Sequence, residues 1–209
     1  MPAKAGRRRR PTQKRARATR EHILDTAARL FGERGIADTS TNRIAAEAGV
    51  SIGTVYRYFT DRAVIVDELL ERLLETIEQR ITQRLVGMSQ ESPEKLVAGL
   101  LEIITDELVA NAPLVRALVA GVQFYSSGLP EFEPRLRILV KVMLIQLLGP
   151  GDDHEYDTMT FVLINTMFAA VLRASAIEVD DGQRLAAVKM TARMIGRWIE
   201  SEIERRPAA

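Results

Sequence analysis

The chain has no cysteine among its 209 residues, which excludes a disulfide framework and a thiolate metal site. Histidine occurs only as His22 and His154, too few for a histidine-based metal centre, so neither a metal nor a cofactor is expected. Apolar runs long enough to span a membrane, roughly 18 residues, are also lacking. The basic N-terminus is not followed by the apolar core of a secretory leader. A cytoplasmic protein without a membrane partner is the resulting expectation. The G-x-S-x-G elbow and the G-x-x-x-x-G-K-[ST] loop are absent, and His154 has no serine partner at motif spacing. An enzyme is therefore not expected.

Acidic residues are missing from one place in particular. The first twenty residues hold Lys4, Arg7, Arg8, Arg9, Arg10, Lys14, Arg15, Arg17 and Arg20 and no acid. Of 29 basic and 28 acidic residues, this leaves 20 and 28 for the remainder, a balance of −8 behind a net charge of +1. Residues 1–17 read as a basic, disordered arm, either a solvated leader or a segment that tracks phosphates. What is present is a globular composition, 46% hydrophobic with 13 Gly and 8 Pro, large enough for a small head and one larger core.

The segment Thr41–Arg62, TNRIAAEAGVSIGTVYRYFTDR, spells a short helix, a turn and a second short helix. Thr41 is placed to cap the first helix. Ile44, Ala45 and Ala48 give it a small-residue inner face, and Gly49 ends it with positive φ. Ser51 caps the second helix, in which Val55 and Phe59, four apart, point inward. Ile52, Gly53, Thr54, Tyr56, Arg57 and Tyr58 are left outward or sideways, a set suited to phosphate and base-edge contacts. A plain helical hairpin with surface-covering tyrosines is the competing reading. The flanks weigh against it: an amphipathic helix from Thr19, carrying Ile23, Ala27, Leu30 and Phe31 and closed by Gly35, and a long helix capped by Thr60-Asp61.

The run ILDTAARLFGERGIADTSTNRIAAEAGVSIGTVYRYFTDRAVIVDELL closely resembles the N-terminal domain of the tetracycline-repressor (TetR) family of bacterial transcription regulators. The resemblance rests on A-x-x-L-F-x-x-x-G, I-A-x-x-A-G-V-S and T-V-Y-x-Y-F, followed by a basic residue three positions on. It covers residues 20–70, about a quarter of the chain. It implies a sequence-specific DNA-binding regulator, a homodimer on a palindromic double-stranded operator, most simply a repressor released by a small-molecule effector. Thr41 and Asn42 would then meet phosphate or groove edge, with Arg43 among the DNA-binding residues. Ile52, Gly53, Thr54, Tyr56 and Arg57 would face bases and adjacent backbone, Tyr58 and Arg62 would anchor phosphates, and Ser51 counts among the DNA-binding residues. Ile52 stands where a polar residue often follows the capping serine, which suggests contact with a thymine methyl.

Beyond the head, residues 62–86 repeat apolar side chains at three and four, from Val66 and Leu69 to Ile81 and Leu85, over roughly 35 Å of helix. In the resembled family this helix links effector to DNA; from its residues alone a rigid spacer is equally admissible. Gly87 and a polar run break it. Ser92-Pro93-Glu94 restarts a helix, and further helices are predicted over 93–110, 113–126, 131–148, 154–178 and 181–204. The whole reads as all-α: a three-helix helix-turn-helix head over 18–64 and a helical-bundle effector and dimerisation domain over 65–206.

The helix over 154–178 is apolar nearly all round, which predicts burial on two sides. Leu163, Met167 and Val171, with Val188, Ile195, Trp198 and Ile199 of the last helix, are the expected dimer interface. The effector pocket is expected to be mainly apolar with a few polar groups, drawn from Phe124, Tyr125, Met143, Met159, Asn165, Thr166 and Phe168, with ordinary core packing the alternative for each. Asp152-Asp153-His154-Glu155 has the residue types of a metal site, but after Gly149-Pro150-Gly151 these acids are better read as capping and dipole residues. Rival readings are an activator, or a helical ligand-binding or catalytic protein with a vestigial head.

Overall fold

A computed structural model describes residues 9–86, 91–120, 129–176 and 180–206. All regular structure among them is helical: α1 (Arg9–Arg34), α2 (Thr41–Glu47), α3 (Ile52–Tyr58), α4 (Arg62–Leu85), α5 (Pro93–Ala110), α6 (Ala112–Ala120), α7 (Leu129–Leu148), α8 (Asp153–Ala176) and α9 (Asp181–Arg205). No helix of the described residues is long and apolar enough to cross a membrane.

The first helix begins ten residues before the expected Thr19. Residues 9–18 are mostly Arg, Lys, Gln and Ala, good helix formers. Pro11 falls in the first turn, where an amide has no intrahelical partner to lose. The described part of the arm is thus a basic continuation of α1 rather than an unstructured leader; residues 1–8 lie outside the described residues. The helix ends as expected, with Gly35 at φ 83° donating its N–H to Phe31 O at 2.8 Å.

Two hydrophobic cores follow. The head core gathers Ile23, Ala27, Leu30 and Phe31 of α1, Ile44 and Ala45 of α2, Val55 of α3 and Phe59 just after it. It does not stop at residue 64. Ile65, Leu69, Leu70 and Leu74 of α4, with Leu114 and Leu118 of α6, complete it. One long and two short helices cannot bury their apolar faces alone, so the first half of α4 and one side of α6 close the head. The second half of α4, with Leu73, Ile77 and Ile81, belongs to the body core with α5, α7, α8 and α9.

In the body, α5 docks closely on α9: a Cβ on Gly196 would lie 2.6 Å from Glu94 Cα. That contact fixes which side of α9 faces inward. Val188, Ala192, Ile195 and Ile199 are consequently buried in the chain's own core, as are Leu163 and Val171 of α8. Met167 and Trp198 are partly buried against the same core. Five of the seven expected interface residues, Leu163, Val171, Val188, Ile195 and Ile199, are therefore interior, and other residues form the outer face. On α8 these are Phe161 and Val162; on α9, Met190 and Met194, all about half exposed or more.

The acids after Gly151 act as their position suggested. Asp152 Oδ1 accepts from Glu155 N at 2.8 Å. Lys141 of α7 reaches Asp153 at 2.8 Å and Asp157 at 2.6 Å, and these hydrogen bonds hold its ammonium pKa above the usual lysine value. Glu155 pairs with Arg206 at 3.1 Å. No metal-holding group of His and carboxylate side chains occurs among the described residues.

Candidate nucleic-acid interface

The helix-turn-helix is set by three side-chain caps. Ser40, not Thr41, is the N-cap of α2: its Oγ accepts from Arg43 N at 3.2 Å. Ser51 caps α3, accepting from Thr54 N at 3.1 Å and sitting 2.8 Å from Thr54 Oγ1. Asp61 caps α4 through Val64 N at 3.1 Å. Gly49, at φ 64°, turns the chain between α2 and α3. Each cap satisfies an orphan amide and is worth about 1 kcal/mol.

With Val55 and Phe59 fully buried, the opposite side of α3 is turned outward. Gly53, Tyr56 and Arg57 are exposed there, as are Asn42 and Arg43 of α2 and the capping Ser51. Thr41, Thr54 and Tyr58 are half-buried. Because Thr41 is displaced from the cap into the first turn, its hydroxyl is available to the neighbouring helix and lies 3.3 Å from Tyr56 Oη. This pair ties the start of α2 to the outer side of α3. Arg57 lies over the Tyr58 ring, 5.0 Å from its centroid, and donates to Tyr58 Oη at 3.2 Å. The Arg57 guanidinium and the Tyr58 phenol thus lie together, and Lys14, Arg15 and Arg17 are exposed on the N-terminal part of α1.

Two expected DNA contacts are placed differently. Ile52 is half-buried and packs against the head core, which engages part of its side chain there. Arg62 turns back to the α1–α2 loop, where Nη1 donates to Ile36 O at 2.8 Å, Ala37 O at 2.8 Å and Thr39 O at 3.3 Å. It closes the loop that precedes the cap Ser40 rather than reaching out for phosphate.

Several positioning residues give no motif signal in the sequence. His22 Nε2 lies 3.1 Å from Ala48 O, tying α1 to the end of α2. Buried Thr39 donates to Gly35 O at 2.8 Å. Arg20 pairs with Glu68 and covers the Phe59 ring, and Arg72 reaches Asp25 at 2.7 Å, so α1 and α4 are joined by charge on their outer sides.

In the body, Met143 and Phe168 line an apolar cavity between α4, α5, α6, α7, α8 and α9. Met159 is buried in the body core beside it. Asn165 is exposed and donates to Phe161 O of its own helix at 2.8 Å, and half-buried Thr166 does not line the cavity. The expected polar contribution from these two is thus absent. Phe124 and Tyr125 lie outside the described residues.

Residues 23–69 match the family model of bacterial regulatory proteins, tetR family. The HTH-type transcriptional regulator AcrR of Shigella flexneri is 44% identical over 62 residues, 30% of this chain and 29% of that one. An HTH-type transcriptional regulator of Staphylococcus aureus is 29% identical over 119 residues, 56% of this chain and 63% of that one. The chain thus spans under two thirds of the length of either curated relative. A solved TetR-family regulator from Syntrophomonas wolfei shares the fold over 87% of this chain and 96% of its own, with a TM-score of 0.69 at 17% identity. With this helical order behind an N-terminal segment that matches the family model, the chain is similar to the TetR family of bacterial regulatory proteins in that segment and shares the fold of a solved member.

Proposed function

We propose that this chain is a homodimeric transcriptional repressor that binds a palindromic operator through α3 and is released from it by a small molecule held in the body. One observation carries the reading. Leu70 and Leu74 of α4 and Leu118 of α6 belong to the head core and also line the body cavity. Whatever fills the cavity presses on side chains that hold α1 and α3 in place. A ligand preferring one arrangement of that wall shifts the head toward it.

Asn42, Arg43, Ser51, Gly53, Thr54, Tyr56 and Arg57 form the proposed DNA-facing surface, with Thr41 and Tyr58 steadying it. The two-fold required by a palindrome would come from the outer faces of α8 and α9, through Phe161, Val162, Met190 and Met194. Release follows if the two copies of α3 depart from a separation of one DNA turn, about 34 Å.

Selection from random DNA followed by gel shift tests the reading. The expected result is an enriched palindrome bound by two chains. Absence of any enriched sequence, or binding by one chain to a single half-site, overturns it.

A further inference from the structure

The cavity holds about 70 Å³ of open space, and every described residue lining it is Leu, Ile, Val, Met or Phe. A water needs roughly 10–15 Å³ on this measure, so several would fit by volume. None would find a hydrogen-bonding side chain on the described walls, and an apolar void stays dry; at about 70 Å³ this one must widen to take an apolar molecule. Three basic side chains on the surrounding helices are committed elsewhere. Arg80 pairs with Glu107 at 2.6 Å, Arg84 with Glu91, and Lys141 with Asp153 and Asp157. A charged group placed among these walls would lose its hydration without compensation.

We infer that the effector is an uncharged lipophile whose buried body is hydrocarbon, held against the described cavity walls by packing alone. The assignment rests on the reading of the body as a ligand-binding domain. It replaces the expected mixed pocket by one that selects on shape and hydration alone. Entry would proceed by rotamer changes of flexible linings such as Met143 and Met167, which adapt to irregular shapes at little cost. Exclusion of charged compounds follows from the same walls, since no described side chain there can pair with them.

The test is thermal unfolding of the full chain in buffer saturated with n-octane or toluene, against octanoate and octylammonium at the same concentration. The hydrocarbons are expected to raise Tm by about 2–4 °C or more, as for any ligand bound to the native state well above its Kd. The two charged analogues are expected to give no shift. Charged analogues that stabilise as much as octane, or hydrocarbons that leave Tm unchanged, overturn the inference. Val140→Phe and Ile104→Phe each put a ring into the cavity and should abolish the octane shift; either variant suffices if the other fails to fold, and a full shift in a folded variant also overturns it. A gel shift with the selected operator separates the two claims. Octane that stabilises the chain but leaves the operator complex intact defeats ligand release and keeps the ligand class. An operator complex formed by a chain whose Tm ignores octane does the reverse.

Discussion

Gly32 of α1 and Pro113 of α6 meet so closely that a Cβ on Gly32 would stand 2.4 Å from the Pro113 Cβ and 3.3 Å from its carbonyl carbon. The body therefore touches the head directly through α6, in addition to the long α4. Alanine at position 32 would favour the helix by about 1 kcal/mol, but the clash is of the overpacking kind that costs about 1–3 kcal/mol. Gly32→Ala is expected to lower Tm by a few degrees, and Pro113→Gly in the same chain to recover part of that loss. A melt of Gly32→Ala equal to the parent would show that α6 yields freely at this contact.

Arg62→Ala should destabilise the head rather than weaken phosphate binding. Three carbonyls of the α1–α2 loop lose their shared donor, a loss of about 1.5–3 kcal/mol for hydrogen bonds to a charged group. Thermal melting measures that loss. The salt dependence of operator binding should keep its slope, whereas removal of a phosphate contact would flatten it by close to one unit per subunit. A flatter slope with unchanged Tm would return Arg62 to the DNA surface.

Arg57→Ala should leave the melting curve in place, because the side chain is exposed and its partner Tyr58 can turn to water. Operator affinity should fall by about 1–3 kcal/mol, roughly five- to 150-fold, with base preference relaxed at one position per half-site. Tyr56→Phe removes the contact with Thr41 Oγ1 and should cost less, about 1 kcal/mol. Quantitative gel shift on the selected operator decides both. Unchanged affinity and preference in Arg57→Ala would remove it from the proposed reading surface.

The two sides of α9 should separate in a pair of variants. Met194, 57% exposed, can take a charge without disturbing the chain's own core, whereas Ile199 is fully buried. Met194→Glu is expected to give folded monomers by light scattering at micromolar concentration. Ile199→Glu should unfold the body, since an unpaired carboxylate would be buried. A dimer that survives both Met194→Glu and Phe161→Glu would place the two-fold elsewhere.

The cap of α2 offers a local check. Ser40→Ala removes the acceptor for Arg43 N and should cost about 1 kcal/mol, a Tm decrease of roughly 2–4 °C. Thr41→Ala should cost little stability, its hydroxyl being turned toward Tyr56 instead of the helix start. The reverse order of the two melts would restore Thr41 as the cap.

The sequence by itself determined the parts whose geometry is local. Spacing of four made Val55 and Phe59 interior, Gly35 and Gly49 marked positive φ, Ser51, Asp61 and Ser92 announced helix starts, and the helix order followed from the breaks between apolar repeats. Such features need only the period of a helix and the chemistry of its ends. Tertiary structure decided the rest, where a local pattern allows two answers. On α9, Met194 and Ile195 are adjacent and equally apolar, and only the approach of the α5 backbone to Gly196 settled that Ile195 faces inward. Arg62 carries the charge of a phosphate ligand, yet loop carbonyls 23 to 26 residues away claimed it. The apolar character of the cavity's described lining was likewise beyond the sequence, because it depends on six helices turning their apolar sides to one space while Asn165 turned away. Periodicity says that a face is buried; only packing between distant segments says against what.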